Sequence, residues 1–211
     1  MTDLFHTTEL QRAFASLRQD LVHEDGPRIS TMRNYRFAIL QYDPKDEHKL
    51  RAELQKLSTD LVAHGWIVHS LDLHRLFLDR VQREGGEEFV QRVIAMEKAT
   101  AARDAARGLQ YLQDKLAPLI EGPNGLAKDV ADLLHDFATK NPDRVDRTVA
   151  FLGRAGALYP FFRTSALLRH LDGRTGQIPV VLLYPGHRLG NGLSFMGVLD
   201  PDSDYRPRIY P

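Results

Sequence analysis

Asp43 and Asp72 each end an apolar run that reads as a β-strand, Asp46 and Glu47 lie close behind the first, and Arg154 and His187 fall where later strands end. Carboxylates gathered along one edge of a parallel sheet can hold Mg2+, and with an arginine and a histidine beside them the chemistry would be metal-dependent phosphoester hydrolysis or nuclease action. The same residues also serve a plainer need. Asp43 precedes Pro44, a favoured first helical residue, Asp46 sits at the capping-box position, and Asp72 opens the helix that carries Leu76 and Phe77. A helix start leaves backbone N–H groups without partners, and an aspartate accepts from them, so both are expected to be N-caps. The acidic pair Asp43 and Asp72 stands as the alternative.

Other reactive groups are poorly arranged. Among nine histidines, His64, His69 and His74 lie closest together, but they fall on a helix end, a strand and the next helix, and His-Glu-x-x-His is absent, so no metal site is predicted. Ser165, Ser194 and Ser203 lack the Gly-x-Ser-x-Gly elbow. After the first strand the chain reads Gln41-Tyr-Asp-Pro-Lys-Asp46, without the Gly-rich loop and lysine that cradle phosphates. Gly153-Arg-Ala-Gly156 and Gly190-Asn-Gly192 lack the dinucleotide spacing. No cofactor and no catalytic residue are predicted. Tyr159-Pro-Phe-Phe162 followed by Arg163 has two readings: a core-facing helix start with Arg163 snorkelling, or a docking surface of the Tyr and Arg types that dominate interfaces.

The elements that must position these residues alternate. Leu10, Phe14, Leu17 and Leu21, with Leu4 before them, approximate helical spacing. Tyr35 to Tyr42 reads as a strand, the stripe Leu50, Leu54, Leu57 and Leu61 as a helix ending at His64-Gly65, and Trp66 to Leu71 as the next strand. That order implies a right-handed crossover in a parallel sheet. From Leu73 to about Lys140 the periodicity is helical throughout, predicting three or four helices packed on one another and on one end of the sheet. Thr148 to Leu152 resumes the sheet and Phe161 to Leu171 is a helix. Gln177-Ile-Pro-Val-Val-Leu-Leu-Tyr-Pro-Gly186 is a buried central strand expected to stop at Pro185, which cannot extend a ladder. Leu193 to Val198 and Tyr205 to Ile209 read as a pair of short strands, the last confined to an edge by Pro207. The fold class is α/β, a short mostly parallel sheet flanked by helices with a helical insert between the second and third strands. One domain is expected over 1–211, with an N-terminal helix in 1–27, the insert in 73–142 and C-terminal strands in 178–211.

Composition bounds the function. At 211 residues one core can be well buried. Lys plus Arg and Asp plus Glu both count 28, so no net basic field holds a nucleic-acid backbone. Arg92, Lys98, Arg103 and Arg107 of the insert alternate with Glu87, Glu88, Glu97 and Asp104, the pattern of a solvated helix face, so direct nucleic-acid binding by the chain alone is not expected. Without cysteine, disulfides, thiolate metal sites and a Cys nucleophile are excluded. No apolar run is long enough for a membrane span and no signal-peptide pattern opens the chain, so a cytoplasmic protein is expected.

Leu152-Gly-Arg-Ala-Gly-Ala-Leu-Tyr-Pro-Phe-Phe-Arg163, Val180-Val-Leu-Leu-Tyr-Pro-Gly186 and Tyr205-Arg206, together with Asn34 to Pro44 and Leu71-Asp-Leu73, resemble the BrxB family, small components of the BREX (bacteriophage exclusion) defence systems of bacteria. The chain departs from the family pattern at His187-Arg188-Leu189, where an aromatic tends to follow Tyr-Pro-Gly, and at Tyr205-Arg-Pro-Arg208. The resemblance implies a locus shared with a PglZ-like protein, an AAA-type ATPase and a DNA methyltransferase. It implies a non-catalytic adaptor linking the first two, with no small-molecule substrate. A partner surface is then expected at Arg154, Tyr159, Arg163, Tyr184, Pro185, Gly186, His187, Tyr205 and Arg206, or on the insert.

Overall fold

In the computed structural model, residues 8–24, 26–29, 36–190, 192–201 and 207–211 are described. Tyr205 and Arg206, like Leu4, Tyr35 and Ser203, lie outside them.

Five parallel strands run in the order β2-β3-β4-β1-β6: β1 is Phe37–Tyr42, β2 Ile67–Asp72, β3 Thr148–Gly153, β4 Val180–Leu189 and β6 Arg208–Tyr210, while β5, Gly192–Phe195, pairs antiparallel with the far half of β4. The central strands β1, β3 and β4 carry the apolar runs because helices cover both faces, and successive side chains point to opposite sides. Ala38, Leu40, Val149, Phe151, Val181 and Leu183 pack beneath α1 (Glu9–Leu21) and α2 (Glu47–Ala63). Phe37, Ile39, Ala150, Leu152, Val180 and Leu182 pack beneath α4 (Ala105–Glu121), α5 (Leu126–Lys140), α6 (Thr164–Leu171) and the first half of α3 (Leu73–Ala101). The chain is thus three-layered, with a mostly parallel sheet as its middle layer.

Helix α1 starts on a capping box: the Gln11 N–H donates to Thr8 Oγ1, and the Thr8 N–H donates to Gln11 Oε1. Its apolar stripe Phe14, Leu17 and Leu21 is buried, and Arg18 reaches Asp60 of α2 at 2.6 Å.

The insert α3 to α5 lies over one face of the sheet, where the sequence pattern predicted one end. The reason is its apolar stripe: Leu116, Ile120, Leu126, Val130 and Leu134 join the core cluster of that face. Helix α3 kinks at Gly86, whose φ of 61° and ψ of −169° leave helical space, a geometry that glycine adopts without the Cβ penalty. Leu73, Leu76, Phe77 and Val81, which join the core of that face, precede the kink, and Val93 beyond it is buried outside that cluster.

Two other elements differ from their predicted form. The residues expected to begin α6, Phe161 and Phe162, fall in the turn before Thr164; Phe162 is buried against Phe195, with ring centroids 5.6 Å apart. The strand β4 does not stop at Pro185. It changes partner there, with Pro185 in register with Tyr42 of β1 while its carbonyl accepts from Met196 N–H at 2.8 Å, and Gly186 begins the pairing with β5. A proline removes one donor, which a strand tolerates where its ladder passes from one neighbour to another. The last two strands do not pair with each other: β5 joins β4 and β6 joins β1.

Candidate functional site

The loop after β1 passes to the face covered by α2, and the loop after β3 leads through a 3-10 turn at Ala155–Leu158 to α6 on the other face. Such a divergence opens a crevice at the carboxyl ends of the strands, the place where open α/β sheets hold ligands. Here it has a volume of about 230 Å³, lined among others by Tyr42, Glu47, Arg51, Arg154, Pro185 and Met196.

Each polar group in it is positioned from its own element. Tyr42, the last residue of β1, is buried and donates its hydroxyl to Glu47 Oε2; burial first, and then this bond, push the phenol above its usual range. Arg51 stands one helical turn beyond Glu47, and its Nε and Nη2 both donate to Glu47 Oε1 at 3.1 Å. Arg154 follows β3 in the left-handed region at φ 58°, a conformation costly for a residue with a Cβ and one that concentrates at functional sites. Its Nε lies 3.7 Å from Asp72 Oδ2, and both side chains are close to half exposed.

The strand-end aspartates act as caps. Asp43 Oδ1 accepts from the Lys45 N–H at 3.0 Å, and that bond, then the Lys45 ammonium, hold its carboxyl below the ordinary range. It caps the 3-10 turn Pro44–Asp46, and α2 begins only at Glu47, where Asp46 makes no side-chain cap but pairs with Lys49 at 2.7 Å. Asp72 Oδ1 accepts from the Arg75 N–H at 3.0 Å at the start of α3. The sheet order places β3 and β4 between β2 and β1, so three strand spacings of about 4.8 Å, roughly 14 Å, separate the two strand ends. A single metal ion cannot bridge that gap.

The remaining predicted residues divide. Tyr184, Pro185 and Gly186 are buried, and Tyr184 packs edge-on to Phe195 at 5.6 Å. His187 is exposed. Tyr159 and Arg163 are exposed on the turn before α6, where Arg163 Nε stands 3.7 Å from Glu121, whose carboxyl is raised by burial against the opposing pull of that guanidinium. Arg163 and Tyr184 line a second cleft of about 390 Å³ on the α6 side. Sequence reasoning missed Tyr42, Arg51 and Met196; the i, i+4 spacing of Glu47 and Arg51 was the available signal for one of them.

Residues 69–209 match the family described as BREX protein BrxB. The chain belongs to the BrxB family. A BREX protein BrxB of Bacillus cereus (strain H3081.97) is 25% identical over 175 residues, which cover 81% of this chain and 80% of the relative. No solved structure matches. The BrxB match begins within β2 and takes in Arg154, Pro185 and Met196, whereas Tyr42, Glu47 and Arg51 precede it. No helix among the described residues is long and apolar enough to cross a membrane.

Proposed function

We propose that this chain, a BrxB-family component of a BREX anti-phage system, is a non-catalytic adaptor that joins a PglZ-like protein to an AAA-type ATPase. The observation that carries this reading is the use made of the strand-end carboxylates. A hydrolytic site would need Asp43 and Asp72 together and free, and each instead accepts a backbone N–H at a helix start, three strands from the other. The crevice between them is walled by Pro44, Pro185 and Met196, with its carboxylate Glu47 already bonded to Tyr42 and Arg51. That arrangement suits recognition better than turnover.

Docking has surface to use. Leu78, Ile94, Met96, Leu109 and Leu133 of the insert are each 40–51% exposed, and Arg163 and Tyr159 stand out beside α6. Interface energy concentrates in a few such anchors. Expression of the whole locus with a tagged copy of this chain tests the reading: the PglZ-like and ATPase components are expected to co-purify at physiological salt. Recovery of the chain alone with phage protection intact would overturn it.

A further inference from the structure

The two edges of the sheet are built differently. At one edge β6 has three residues, Pro207 stands before it and Pro211 after it, and Arg208 occupies its first position. Short length, proline and charge are the devices by which proteins keep an edge from pairing. At the other edge β2 has six residues, Ile67-Val-His-Ser-Leu-Asp72, with no proline and no charged residue before the Asp72 cap. None of the backbone hydrogen bonds among the described residues outside the β3 ladder reaches residues 67–71. In a parallel strand about half of the backbone groups face each side, so the outer row of β2 is an open template.

Beside this edge runs a groove of about 540 Å³ between α2 and β2, lined by Leu54, Val62, Val68 and Ser70 and closed at one end by Arg51. Val62 is 59% exposed there. Arg51 also lines the crevice at the strand ends, so one residue borders both groove and crevice. Two of its donors share one oxygen of Glu47, and the side chain is 60% exposed.

We propose that β2 accepts an extended segment of a partner protein by strand addition, with alternate apolar side chains of that segment over Val62, Val68 and Leu54 and an acidic side chain, two positions beyond the last of them, on Arg51. The spacing follows from the strand period, which returns a side chain to the same face every second residue. A second copy of this chain fits less well. In a two-fold antiparallel pairing of two β2 strands, the residues brought beside Arg51 are those around Gly65 to Ile67, none of them acidic, and the acid at Asp72 falls at the opposite end. The inference rests on the adaptor reading and names the surface and the partner chemistry for it.

The test uses the full chain expressed with its locus, purified as wild type, as Val68→Lys, as Arg51→Glu and as Ser16→Lys on the exposed side of α1, the helix beside the opposite, β6 edge. Binding of an identified BREX component is expected to fall about tenfold or more in the first two variants and to stay near wild type in the third. Amide hydrogen exchange is followed in the wild-type complex, so that the result does not depend on how well a variant folds. Peptides covering 67–72 are expected to slow on complex formation. Unchanged exchange at 67–72 in a complex that forms, or full retention of the partner by Val68→Lys, overturns strand addition and leaves the adaptor role standing. Failure of the wild type to bind any BREX component overturns the adaptor role itself.

Discussion

Arg80 of α3 and Asp129 of α5 face each other through two parallel hydrogen bonds, Nε to Oδ2 at 2.7 Å and Nη2 to Oδ1 at 2.9 Å, with both side chains only 7% exposed. Arg83 adds a third bond to Asp129 at 2.8 Å and Glu84 accepts from Arg80 at 3.0 Å. A buried pair of this kind gains little over well-packed apolar residues, yet removing one partner strands a charge in the interior. Asp129→Ala is therefore expected to cost about 3–5 kcal/mol, read as a lower midpoint in urea unfolding. The double variant Arg80→Met with Asp129→Leu is expected to recover most of that loss. A single variant as stable as the wild type would mean that water reaches the pair.

Gly186 stands where β4 exchanges β1 for β5, at φ 152°, and a Cβ built there would lie 2.1 Å from the carbonyl oxygen of Ser194. The obstacle is backbone of the paired strand, so neither side can turn aside as a long side chain would. Gly186→Ala is expected to destabilise by at least ~2 kcal/mol and to disturb the wall formed by Pro185 and Met196. A wild-type melting temperature in the alanine variant would show that the hairpin gives way at no cost.

If Asp72 serves as a cap, its amide should replace it. Asparagine caps helices about as well as aspartate, so Asp72→Asn is expected to be nearly neutral and Asp72→Ala to cost ~1 kcal/mol. Asp43 is expected to follow the same order, and because its carboxyl is held below the ordinary range, its contribution is full above the unfolded-state pKa and declines as pH falls through the folded one. Folded Asn variants of both that abolish phage protection would return the acidic pair to consideration as a metal site.

Much of the fold was legible because the periods are clean. The alternation of apolar runs with three- and four-residue stripes located most strands and the helices α1, α2 and α6 to within a few residues and read the insert as helical without dividing it, and the N-cap chemistry of Asp43 and Asp72 followed from Pro44 and from the stripe after Leu73. What escaped depended on long-range pairing. Pro185 reads as a stop when one ladder is assumed, and only the arrival of β5 makes it a crossing point. Phe161 and Phe162 satisfy an apolar helix start and an apolar plug equally well; the position of Phe195, more than thirty residues onward, decides between them. The separation of Asp43 from Asp72 required the strand order, which local pattern does not contain.

His69 provides a pH test at the proposed docking edge. It lies within β2, its ring edge-on to Phe137 of α5 with centroids 4.4 Å apart, and its buried Nε2 has no hydrogen-bond partner among the described residues. Burial lowers its pKa, because the imidazolium would lose solvation without gaining an acceptor. The sign follows directly. With the folded pKa below the unfolded value near 6.5, the unfolded chain takes up the proton first as pH falls, so stability is complete above about 6.5 and declines below it until the folded ring also protonates. Urea unfolding at pH 7.5 and pH 5.5 is expected to show a larger loss for the wild type than for His69→Leu, a window that lies above the titration of the depressed carboxylates Asp43 and Asp60. Equal losses in the two proteins would assign the acid sensitivity to another group and leave His69 with a packing role alone.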